Sequence, residues 1–150
     1  MKRLEIIFGF IFLLGNTMKL LDIPGYFLLI KFSSMLLCIV YFFFSYVLLN
    51  PMKIEDSNTH FVGVYRTLMS ILIGWALCTF VFGIYSIVTF LFAGWIFSII
   101  GFVWLIVCCV ILLFGKKRYK VFVVSCYKRI FIVVCVGGIA IIETILLASR

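Results

Sequence analysis

An all-α, multi-pass transmembrane bundle of five helices follows from three features of this 150-residue chain. Hydrophobic residues make up 67% of it and charged residues 12%, against nearly half and about a quarter in a soluble domain. A soluble domain of this size leaves roughly 30% of its chain surface in water, so it could not hide that much apolar side chain. The second feature is a continuous run. From Thr67 to Gly115, 49 residues pass without an Asp, Glu, Lys, Arg or His. One helix of that length would reach roughly 70 Å at 1.5 Å per residue, and a bilayer's hydrocarbon core is only about 30 Å thick; the run therefore folds back once. The third feature is the lack of alternation in stretches such as FFFSYVLL and WIFSIIGFVWLIVCCVILLF. A transmembrane β-barrel also satisfies its backbone in lipid, but its strands alternate apolar and polar residues, so a barrel is excluded.

Each element has its own reason. The first helix is predicted over about residues 4–21, between the amino-terminal charges and Lys19 and Asp22. Pro24 and Gly25 make the hairpin turn, since Pro withholds an N–H and Gly tolerates positive φ. The second helix, about 26–49, contains the charge-free run Phe32 to Leu49 and stops at Asn50-Pro51, because the residue before proline is pushed out of helical geometry. A polar loop over 50–66 follows. The third and fourth helices, about 67–89 and 94–114, share the long run and turn near Phe92-Ala93-Gly94. A basic segment over 115–129 precedes a fifth helix, about 130–149, which must accommodate Glu143. Within that segment, VFVVSCY either lies along the membrane interface or extends the last helix inward. The whole chain is read as one domain.

Cytoplasmic loops retain lysine and arginine. With five spans, one side holds Lys2, Arg3, Lys53, Arg66, Lys116, Lys117, Arg118, Lys120, Lys128 and Arg129, and the other Lys19, Lys31 and Arg150. Ten against three places the amino terminus in the cytoplasm and the carboxyl terminus outside, in the inner (plasma) membrane of the cell. Lys2, Arg3 and the apolar stretch Ile6 to Leu14 resemble the start of a signal peptide, but GNTMK follows where a small-x-small cleavage site would stand, so a retained helix is expected.

Ionisable groups inside spans are costly and are functional candidates by default. Lys19, Lys31 and Glu143 are three such groups, all in the outer half by this topology, and a Lys31–Glu143 ion pair is one expectation; lysines snorkelling outward and a structural Glu143 are the plainer one. Lys116, Lys117, Arg118, Lys120, Lys128 and Arg129 are expected to meet anionic lipid headgroups rather than nucleic acid. Small residues recur at helical spacing: Ser34, Cys38 and Ser45; Ser70, Gly74 and Cys78; Gly94, Ser98 and Gly101; Gly137, Ala140, Thr144 and Ala148. Such stripes let helices approach closely in lipid, within the chain, with a second copy or with a membrane partner. The six cysteines form no CxxC pair and one histidine completes no zinc site, so packing is their expected role. No metal or cofactor is expected. With two Asp, three Glu and one His in all, and no nucleophile elbow, metalloprotease or phosphate-loop motif, an enzyme is not expected either.

The segment FLLGNTMKLLDIPGYFLLI, Phe12 to Ile30, resembles the first hairpin of GldL-type proteins, inner-membrane components of the gliding-motility and type 9 secretion motor. Gly15, Lys19, Pro24 and Gly25 carry the resemblance. It implies an ion- or proton-coupled subunit. The family has His-Trp-Pro-Gly where this chain has Asp22-Ile23-Pro24-Gly25, and its second helix carries a glutamate where no acid lies between Tyr26 and Leu49 here. The same frame recurs at an offset of 68: Phe12, Gly15 and Leu37 fall on Phe80, Gly83 and Leu105, as in two hairpins of a degenerate repeat followed by a tail helix. Three functions are therefore in view: a small scaffold or accessory subunit acting through helix contacts, an ion- or proton-coupled subunit, and a membrane immunity- or toxin-type protein.

Overall fold

In the computed structural model, which describes residues 2–49, 60–89, 93–115 and 120–149, the first helix ends on a stop made by its own backbone. Helix α1 is Lys2–Leu20 and α2 is Tyr26–Leu49. The Ile23 N–H donates to the Met18 carbonyl at 3.0 Å and the Asp22 N–H to that of Lys19 at 3.3 Å, the two bonds of a Schellman motif. Asp22 takes the left-handed conformation this motif requires, at φ 52°, which a short polar side chain tolerates better than most. Pro24 follows, and Gly25 stands at φ 94°, where a Cβ would be strained.

Three further helices complete the chain: α3, His60–Val88; α4, Ala93–Gly115; and α5, Lys120–Ala148. All described secondary structure is helical, so the chain is an all-α bundle of five helices. Two helices are longer than the charge pattern suggests. α3 begins at His60 rather than near Thr67, and α5 at Lys120 rather than near Ile130, so His60 opens a helix. Lysine and arginine are good helix formers, so charges mark where apolarity ends and not where the helix ends. In α5 the added turns also have an apolar stripe of their own: Phe122, Val123 and Cys126 are fully buried. VFVVSCY thus extends the last helix. Lys116, Lys117 and Arg118, most of the polar loop and the turn at 90–92 lie outside the described residues.

Four helices, α2 to α5, are long and apolar enough to cross a membrane, which makes this a multi-pass membrane protein. α1 differs from them. It is 19 residues long, enough for about 28 Å, but it carries Lys2, Arg3, Glu5 and Lys19 and is apolar only between them. It nevertheless packs antiparallel along α2.

Neighbours in sequence are neighbours in space. α1 packs on α2, α2 on α3 and α3 on α4, the last pair most closely, while α5 lies across α1, α3 and α4. The small residues form the seams. Gly74 faces Ser45 and the Tyr41 carbonyl, and Gly83 faces the Ser98 backbone. A Cβ on Gly101 would stand 2.6 Å from the Phe80 nitrogen. Gly137 receives Ile84, and the Cys38 thiol points at the Cys78 carbonyl at 3.7 Å. The stripes therefore serve contacts within the chain.

The offset of 68 is structural. Gly15 meets the Ile30 backbone where α1 crosses α2, and Gly83 meets the Ser98 backbone where α3 crosses α4; both partners are related by the same offset. Leu20 and Val88, which end α1 and α3, also correspond. Phe12, Leu37, Phe80 and Leu105 are all buried. Two like hairpins stand side by side, with α5 packed over them.

Lys19 joins the hairpins at their turn end. Only 7% exposed, it donates from Nζ to the Val88 carbonyl, one of the acceptors left open at a helix C-terminus. A cation there is also favoured by the helix dipole, by up to about 2 kcal/mol in partly buried geometry. Lys19→Met is expected to lower bundle stability by about 1–2 kcal/mol, read as a fall in the thermal midpoint in detergent.

Candidate functional site

Helical spacing brings one polar cluster together at the opposite end of the bundle. On α1, Glu5, Gly9, Phe12 and Leu13 fall on one face; on α2, Leu37 and Tyr41; on α5, Ser125, Arg129, Ile132, Val133 and Val136. These spacings of three and four residues align side chains along a helix. The faces converge, with Val81 and Ile84 of α3, around a cavity of about 500 Å³.

Its polar end is a three-residue network. Arg129 donates from Nη1 to Glu5 Oε2, and the Tyr41 hydroxyl donates to Glu5 Oε1 at 2.8 Å. Both carboxylate oxygens are thereby engaged. Arg129 is 8% exposed, and Ser45, Leu48, Leu49 and Leu77 also surround it. Removing an ion pair from water costs several kcal/mol per ion unless charge and hydrogen bonds compensate; here Tyr41 supplies the added bond. Lys128 stands exposed at the same end and lines the cavity.

Apart from Ser125 the rest of the wall is apolar, and two of its residues mark an opening. Ile6 and Phe10 of α1 line the cavity yet are 70% and 66% exposed. Across from them, Ile132 of α5 is also exposed. The cavity thus opens sideways between α1 and α5, onto the apolar outer surface of the bundle.

The second hairpin differs at the matching positions. At the positions corresponding to Glu5, Gly9 and Tyr41 it has Ile73, Leu77 and Cys109, and Ile73 and Leu77 are fully buried. The Cys109 carbonyl accepts the Tyr127 hydroxyl of α5 at 2.7 Å. Where Leu77 is fully buried, its counterpart Gly9 leaves open space: a Cβ added at Gly9 would meet nothing within 4 Å. Glu5, Tyr41 and the open space beside Gly9 are thus features of the first hairpin, which α5 completes with Arg129 and Lys128.

The residues singled out in the sequence are placed differently. Lys19 caps α3. Lys31 is exposed, Glu143 is half-buried, and the ion pair among the described residues is Arg129–Glu5, not Lys31–Glu143; Glu143 Oε2 is buried without a hydrogen-bond partner. The structure does not bring these three groups together. Arg129, expected at the headgroups, is buried in the bundle because α5 starts ten residues earlier and carries position 129 inward; Lys128, its neighbour, keeps the exposed position. Lys120 opens α5. Pro24 and Gly25 form the turn. Glu5 and Tyr41 are site residues that composition and spacing do not single out. An acid inside a predicted span is itself a signal, since it needs a partner, but ten basic residues share its side, and only the packing of α5 on α1 selects Arg129 among them. Compared with family models, curated proteins and solved structures, the chain matches none of them.

Proposed function

We propose that this protein is a small accessory subunit of the inner membrane that binds an amphiphile within the bilayer, with its amino terminus on the cytoplasmic side. The cavity carries the reading: an apolar chamber, open sideways, that ends in Glu5, Tyr41, Arg129 and Lys128. Its volume lies within the roughly 300–1,000 Å³ of ligand pockets, which are mostly apolar with a few placed polar groups. The ten-to-three distribution of basic residues supports the orientation. The scarcity of acids and histidine supports binding rather than catalysis.

Native mass spectrometry of protein extracted in a mild detergent tests this. One retained amphiphile per chain is expected, and Gly9→Phe, whose ring would occupy the cavity, is expected to abolish retention while leaving helix content unchanged by circular dichroism. A folded Gly9→Phe variant that retains the same mass adduct would overturn the reading.

A further inference from the structure

The chemistry of the chamber narrows what it takes. We propose that the cavity binds an anionic phospholipid, which enters sideways between α1 and α5, lays one chain along the apolar wall and sets its phosphate at Lys128 and Arg129. The proposal rests on the amphiphile reading above and names the ligand class of the same cavity.

Charge comes first. Glu5, Lys128 and Arg129 are the charged groups lining the cavity, with the neutral Tyr41 hydroxyl beside them. The Glu5 carboxylate is matched by Arg129 and bonded by Tyr41, so the cluster as a whole is left with one positive charge, on Lys128. An anion is the complement of that balance, and a second cation is not. The donors agree. A guanidinium has five N–H groups and no acceptor, and an ammonium has three; Arg129 gives one N–H to Glu5 in this structure, and a phosphate has oxygens for others.

Access comes second. The exposed rim residues Ile6, Phe10 and Ile132 are apolar, so the mouth faces the part of the membrane where acyl chains lie. A ligand arriving from the bilayer keeps its chain in an apolar medium throughout. A free water-soluble anion would have to pass Lys128 and leave the apolar chamber unfilled. Selection comes third. Gly9, Glu5 and Tyr41 stand where the like hairpin has Leu77, Ile73 and Cys109, so at these matched positions open space and charge occur together in the first hairpin.

The test uses the full chain, delipidated in maltoside and titrated with dioleoylphosphatidylglycerol, dioleoylphosphatidylcholine or inorganic phosphate, with bound lipid counted by native mass spectrometry. The anionic lipid is expected to bind about tenfold more tightly than the zwitterionic one. Lys128→Gln, a change at an exposed position, is expected to remove most of that preference, and Gly9→Phe to remove the bound lipid altogether. Equal binding of the two lipids, with both lost in Gly9→Phe, overturns the anionic assignment and leaves the amphiphile reading standing. Lipid binding unaffected by Gly9→Phe reports only the basic outer surface and overturns both. Displacement of the lipid by millimolar inorganic phosphate overturns the lipid as ligand and assigns the polar end to free phosphate.

Discussion

Replacing Arg129 alone by methionine is expected to destabilise the bundle by about 3 kcal/mol, because it leaves the Glu5 carboxylate among apolar side chains without its cation. Removing both charges with Glu5→Gln and Arg129→Met is expected to restore a good part of the loss. Both oxygens of Glu5 accept hydrogen bonds, and a glutamine keeps one acceptor for Tyr41. The loss from breaking a buried pair mostly reports the stranded partner, and neutral replacement of a whole pair is often tolerated. Equilibrium unfolding in mixed detergent micelles, run as a double-mutant cycle, measures this. A double variant as unstable as Arg129→Met would mean that the charges themselves, and not their mutual compensation, hold α1 on α5.

The second large effect is expected at the α3–α4 seam. Gly83→Ala places a methyl group against the Ser98 backbone. Backbone cannot rotate away as a side chain does, so the helices must separate. Overpacking of this kind costs about 1–3 kcal/mol, and the upper end is expected here because α3 and α4 form the closest contact in the bundle. The contrast is Gly9→Ala. Its methyl enters open space, and exchanging glycine for alanine within a helix gains about 0.5–1 kcal/mol. Thermal midpoints of the two variants in the same detergent should therefore move in opposite directions.

What the amino-acid sequence discloses here, and what it hides, divides along physical lines. Length and apolarity are local, so the charge-free run from Thr67 to Gly115 announces two helices and a return, and Pro24-Gly25 announces the first turn. The beginnings of α3 and α5 are less visible. A charge such as Arg66 or Arg129 ends an apolar stretch without ending a helix, and only packing around Phe122 and Cys126 shows that the helix continues. The cavity is the least legible feature. Glu5 and Arg129 are 124 positions apart, Tyr41 sits among aromatic neighbours that face outward, and an empty volume leaves no mark except a glycine where a like hairpin has leucine. The repeat at an offset of 68 held that clue, since it pairs Gly9 with Leu77.

The dependence of α1 on distant partners bears on how the chain is made. Its acid finds a counter-ion 124 residues later, and the ammonium of Lys19 finds its acceptor 69 residues later. At the moment α1 leaves the ribosome neither exists. A segment with four charges has little reason to settle in oil unaided, so the final seat of α1 depends on residues made 69 and 124 positions after its own.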